Sequence, residues 1–265
     1  MFLLAALAMA APVPKPGPDW VTLKGTVVWP EKEKVPETKA YEVPTGMPDL
    51  EHAKRGGPII DDTFVVDEKS RGLKNVVVWL RPDDDNPKAK IPAERIHPDL
   101  VKAKPTTHTL TTEFCRFDKR VLVVRVGDKL EVVNKSPVAC NFKFDLDDGG
   151  CNVVLKPKDK PFMTNALTAS GVGSFSDCIH PWLRTEDRDF GGRVRVFDHP
   201  YFAVTNADGE FEIPQVPRGN WRIMYWHESG YHKGKDGRLG FKVEVEGNRD
   251  AVMTMKPVAF EVPKK

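Results

Sequence analysis

The sequence has almost nothing that reads as helix. No stretch of ten residues carries an apolar stripe at helical spacing, and 23 prolines with 20 glycines cut the chain into short pieces. Charge of one sign is not in excess either: 40 basic against 38 acidic side chains leave a formal charge of +2. A nucleic-acid binder needs a basic face to replace phosphate counterions, so that partner class is excluded. Past the N-terminus no run is apolar enough to span a bilayer, which takes about 20 residues, so no transmembrane segment is expected. Catalytic motifs are missing as well. There is no Gly-x-Ser-x-Gly elbow, no phosphate loop and no His-Glu-x-x-His pair. With no residue to nominate as catalyst, the chain reads as a non-enzyme.

What is present is strand. Val21–Trp29 is β-branched and ends at Pro30, and Leu73–Leu80 is a compact apolar run between Gly72 and Pro82. Val121–Val126 and Lys129–Asn134 flank Gly127-Asp128 and read as a hairpin with a two-residue turn. Further strands are expected over 193–197, 202–205, 210–213, 221–226, 241–246 and 251–255, with long loops over 30–70 and 82–110. Many short strands between regular turns predict an all-β protein built of sandwiches. Met1–Ala11 resembles the apolar core of a secretory signal, with small residues at Ala8 and Ala10, although the usual basic leader is absent. An extracytoplasmic protein follows (periplasmic, cell-surface or secreted). Its four cysteines, Cys115, Cys140, Cys151 and Cys178, are confined to one stretch and in that compartment read first as disulfides.

Two resemblances organise the rest. Thr205-Asn206-Ala207-Asp208-Gly209-Glu210-Phe211-Glu212-Ile213, followed by Pro217-Arg218-Gly219-Asn220-Trp221, resembles the carboxypeptidase regulatory-like β-sandwich, a non-catalytic module of secreted proteins. The stretch from 113 to 198 resembles a cupredoxin, the small copper β-sandwich of the plastocyanin and azurin type. It is similar to bacterial extracytoplasmic proteins that join the two modules. In that group an asparagine ends the hairpin, an H-N pair follows, and a C-x-x-H-P-W-M loop closes the site before a D-H-P-[FY]-F-A-V-T segment. Asn134, His180-Pro181-Trp182 and Asp198–Thr205 keep this pattern. The resemblance implies a cupredoxin-like Greek-key domain over 19–198 and a smaller regulatory-like sandwich over 199–262. Strands 21–29 and 73–80 could instead belong to the latter, making the cupredoxin part an insertion.

A blue copper centre uses two imidazoles, a thiolate and a weak axial thioether. Here Cys140 stands where the resemblance puts the first histidine, Asp177 where it puts the thiolate, and Leu183 where it puts the axial methionine. Only His180 remains. A degenerate copper site is therefore expected, with no cofactor or copper as the two possibilities. If a metal is held, Cys140, Cys178 and His180 are the candidate ligands, in a set that suits Cu(I) or Zn(II). If the cysteines are bridged, Cys115–Cys178 with Cys140–Cys151 is one of three connectivities. His199 and His227 are secondary candidates that read more readily as packing residues. The function expected is a secreted, non-enzymatic binding or structural protein with a protein or cell-surface partner; the alternative is an extracytoplasmic copper-binding or electron-transfer protein with an atypical Cys/His set.

Overall fold

The computed structural model describes residues 19–38, 40–147, 149–185, 188, 189 and 191–263, so the expected signal segment lies outside the described residues. The protein is an all-β sandwich architecture. Among the described residues the longest helix, Leu50–Arg55, is under two turns, and none is long and apolar enough to cross a membrane.

One sandwich is assembled from both ends of the chain. Trp20–Val28 pairs antiparallel with Glu210–Pro217 and parallel with Val252–Thr254 and Val258–Ala259. In the facing sheet, Val77–Pro82 lies between Phe202–Val204 and Gly219–His227, and the latter also pairs with Gly230–Tyr231 and Phe241–Val245. Alternation sends Val21, Leu23 and Val27 inward to meet Leu80, Ile213, Trp221 and Ile223. Gly25 sits where the Phe211 ring crosses its strand: a Cβ there would fall 2.6 Å from a ring carbon. Strands that precede residue 83 thus share sheets with strands that follow residue 201, and residues 107–197 form a second sandwich between them.

That second sandwich has Val121–Arg125, Gly192–Phe197, Gly171–Ser176, Cys140–Leu146 and Gly149–Leu155 in one sheet. Arg116–Phe117, Thr107–Glu113, Lys129–Asn134 and Phe162–Met163 form the other. Phe142, Phe144, Phe175, Leu122, Val124, Leu130 and Val132 fill the space between them. The hairpin expected at Gly127-Asp128 is corrected here. Val121–Arg125 runs parallel to Gly192–Phe197, whereas Lys129–Asn134 runs parallel to Thr107–Glu113 in the opposite sheet. The turn is a corner between sheets because Leu122 and Val124 must face Leu130 and Val132 across the core. Asp128 holds that corner, accepting from Thr106 N at 2.7 Å and Arg125 N at 2.9 Å and pairing with His108 Nε2 at 2.7 Å. Burial works against its charge, but these donors outweigh it and hold the carboxyl below its usual range.

The sandwiches meet through an apolar seam of Val77, Trp79, Val121, Phe197, Met224 and Trp226. Arg195 of the inserted sandwich lies over the rings of Trp79 (4.6 Å) and Trp226 (4.5 Å) in the other. Arg120 makes a fork on Glu228, with Nε to Oε1 at 2.6 Å and Nη2 to Oε2 at 2.8 Å, and its Nη1 reaches Asp62 at 2.9 Å. Both members of the fork are nearly inaccessible to water, so the pair fixes geometry at one register only.

Candidate functional site

The end of the inserted sandwich gathers three segments that are far apart in sequence. The first is the tip of the hairpin Thr107–Glu113 and Arg116–Phe117, whose two turn residues, Phe114 (φ 52°) and Cys115 (φ 58°), both adopt left-handed backbone. A two-residue turn that matches strand twist needs this conformation, which glycine and asparagine adopt most readily. In a bulky residue it costs about 1 kcal/mol or more, and here it turns Cys115 inward. The second segment is the start of Cys140–Leu146. Asn134 prepares it by donating to Val138 O and Leu155 O, each at 2.8 Å, and accepting from Ser136 N. The third is the loop after Gly171–Ser176, carrying Asp177, Cys178 and His180.

Asn141 and Asp177 stitch the last two together. Asp177 Oδ1 accepts from Asn141 N (3.2 Å) and Ile179 N (2.9 Å), and Asn141 Oδ1 accepts from Cys178 N (3.3 Å). The free Oδ2 of Asp177 then receives Nδ1–H of His180 at 2.7 Å. The other ring nitrogen, Nε2, faces Asp49 Oδ2 at 3.2 Å and Cys115 Sγ at 3.4 Å. Burial alone would strip the proton from His180, but Asp177 and Cys115 reverse the sign and raise its pKa to about 10. The ring is an imidazolium between acceptors. Cys140, wholly buried, is pushed up to about 11 by desolvation and by the Asp177 charge, so it is a neutral thiol.

Asp49 comes from the long 30–70 loop, which covers the site. Leu50, Ala53 and Ile59 of that loop pack with Cys115, Trp182 and Leu183. Trp182 Nε1 donates to Pro48 O at 3.0 Å, and Arg116 donates to Ala53 O, Gly57 O and Pro58 O. Nothing in the spacing pointed to Asp49. Only its place just ahead of an apolar residue in a short helix could have suggested a docked segment.

The sequence candidates sort clearly. Cys140 and His180 come together, and with Asp177 they form a buried trio whose ligand atoms all lie within 4.8 Å of one another. Cys178 is not the third member: it is exposed, with Sγ 4.0 Å from Ser176 Oγ, and Asp177 takes its place. Neither expected disulfide is present. In the ladder Cys140 faces Leu155 and Cys151 faces Phe144, an offset of four residues or roughly 13 Å, which no disulfide spans. Cys115 is turned into the core against His180, whereas Cys178 is turned out. His199 and His227 lie elsewhere. His199 Nδ1 accepts from Tyr201 N at 3.2 Å. His227 donates from Nε2 to Thr63 O at 2.9 Å and stacks on Phe64. Burial lowers both to about 4, so both are neutral packing residues.

These residues do not fit a blue copper ion. Where the cupredoxin resemblance expects a thiolate the chain has the carboxylate of Asp177, and His180 Nδ1 already donates to it. Leu183, in the axial position, points into an apolar cluster and has no lone pair to give.

No family model matches the chain, and no curated protein matches it. Among the solved structures to which it is similar are cupredoxins. An oxidised amicyanin variant is 17% identical over 34% of this chain and 80% of that chain, with a TM-score of 0.27. A purple cupredoxin from Nitrosopumilus maritimus is 20% identical over 34% of this chain and 98% of that chain, at 0.26. A reduced amicyanin variant is 17% identical over 37% of this chain and 89% of that chain, at 0.28. Each likeness is partial and low in TM-score, so the all-β sandwich architecture rests on the strand pairing itself.

Proposed function

We propose that this is an extracytoplasmic, non-enzymatic binding or structural protein in which a cupredoxin-like sandwich has exchanged its copper for an ion pair of its own. The sandwich around it is read as a carboxypeptidase regulatory-like module, and the partner as a protein or cell-surface component. One observation carries the proposal: His180 Nδ1 is hydrogen-bonded to Asp177 Oδ2 at 2.7 Å, at the two positions where the cupredoxin resemblance expects metal ligands. It leaves the loop built for a metal fully satisfied without one. The pair also anchors the 41–59 segment through Asp49.

A second reading, an atypical metal site, is favoured by the convergence of Cys140, Asp177 and His180. Zinc accepts sulfur, nitrogen and oxygen donors of this kind. Addition of Cu(II) to purified protein, followed by visible absorption and metal analysis after desalting, separates the readings. No thiolate–copper band and no retained metal are expected. An intense visible band would restore a blue copper role, and stoichiometric retained copper or zinc would establish the second reading.

A further inference from the structure

The four cysteines are not equivalent. Cys115 Sγ lies 3.4 Å from His180 Nε2, and the opposite nitrogen of that ring lies 2.7 Å from Asp177 Oδ2. Sulfur, imidazole and carboxylate in this order, each within reach of the next, are the arrangement that activates a cysteine nucleophile: the ring sits on the sulfur and the carboxylate fixes the ring. Cys115 reaches this position only through a left-handed backbone that a cysteine adopts at a cost, and strain of that kind gathers at functional sites. A second thiol shares the cluster. Cys140 lies within 4.8 Å of both His180 and Asp177, and Cys115 is near enough to act on it electrostatically. The other two lie elsewhere: Cys178 is on the surface, and Cys151 lines a cleft of about 470 Å³ with Phe144, Phe162 and Met163.

We infer that Cys115 and Cys140 form a redox-active thiol pair, in which a small hydroperoxide oxidises Cys115 and Cys140 resolves it as a disulfide. A small oxidant is required because Cys115 is only 1% exposed. Asp49, which reaches His180 Nε2 at 3.2 Å, has a side chain about a third exposed. In the first step the Cys115 sulfur attacks a peroxide oxygen, an S–O bond forms and the O–O bond breaks. The departing hydroxide takes the thiol proton and leaves as water, giving a sulfenic acid. In the second step Cys140 sulfur attacks Cys115 sulfur, an S–S bond forms, and the S–O bond breaks. The hydroxyl leaves with the Cys140 proton as a second water. Two thiols lose two electrons, and one hydrogen peroxide becomes two waters.

The inference rests on the copper-free reading of the site, because a bound metal would occupy Cys140 and His180. The test therefore uses one reduced, desalted preparation of the full chain whose metal content is measured first. Hydrogen peroxide is added below one equivalent, remaining thiols are alkylated, and peptides are mapped by mass spectrometry without reduction. A Cys115–Cys140 cross-linked peptide is expected, with Cys151 and Cys178 still alkylated. In Cys140→Ser the sulfenic acid is expected to persist and to be trapped by dimedone at Cys115 alone. Asp177→Asn should slow Cys115 oxidation roughly tenfold or more while leaving the rates at Cys151 and Cys178 unchanged. In metal-free protein, a Cys115 that reacts no faster than Cys151, or that bridges to a residue other than Cys140, overturns the thiol pair alone. Metal at one equivalent with both thiols protected overturns the reading of the site on which it rests.

Discussion

The two sandwiches bury histidine in opposite charge states. At the end of the inserted sandwich, His180 is held as an imidazolium by Asp177 and by acceptors on its other nitrogen. In the sandwich built from the chain ends and at its junction, His199, His227 and His232 are held neutral, each lowered to about 4 by burial. Depth does not separate them, since His180 and His227 are both wholly inaccessible. What differs is the partner. His180 faces carboxylates, whereas His227 faces a carbonyl and a hydroxyl and His232 accepts a backbone N–H.

The largest expected effect is on the acid side. A histidine whose folded pKa is depressed binds its proton more readily when unfolded, so its contribution is complete above about 6.5 and is lost as pH falls toward 4. His199, His227 and His232 together should erode stability over that window, by up to roughly 3 kcal/mol each. His180 has the opposite sign: its contribution is complete below 6.5 and is lost as pH rises through about 10. Denaturant unfolding at pH 4.5, 7 and 9.5 measures both limbs. A smaller acid limb in His227→Gln, reduced by about one third with the alkaline limb intact, would sharpen the contrast; identical pH profiles would break it.

Next in size is the seam. Arg120→Met leaves Glu228 buried without its fork, which costs about 3–5 kcal/mol, and calorimetry should then resolve two transitions where the parent shows one. A single transition in the variant would mean that the aromatic seam around Arg195 couples the sandwiches without help. Smaller again is the corner: Asp128→Ala strands the Thr106 and Arg125 amides, for about 1–3 kcal/mol. It should lower the stability of the inserted sandwich only, as read by hydrogen exchange in Leu122, Val124, Leu130 and Val132. The smallest effect is expected at Cys178→Ser, within about 0.5 kcal/mol in thermal unfolding, because that side chain is on the surface. A large loss there would contradict its placement outside the buried trio.

Much of the strand content was legible, because period-two alternation in segments such as Trp20–Val28 is written locally. Sheet membership was not. Val121–Arg125 and Lys129–Asn134 look like partners across a glycine turn, and only the requirement that four apolar side chains face one another across a core assigns them to different sheets. The site was half legible. Cys140 and His180 stood at positions the cupredoxin resemblance marks, and by that resemblance Asp177 stands where a thiolate is expected. Cys178 attracted attention because sulfur is the better ligand, yet Asp177 faces inward and is bound by two backbone amides. Asp49 and Cys115 were hidden for a physical reason: one is delivered by a loop with no periodicity, the other by an unusual turn backbone.

The most direct probe of the exchanged ion pair is the imidazole nitrogen NMR signal of His180, recorded from pH 6 to 10 with and without added copper. Both ring nitrogens should stay protonated to about pH 9 and be indifferent to the metal. A single deprotonated nitrogen at neutral pH, or a signal broadened away by one equivalent of copper, would mean that the ring still serves a cation.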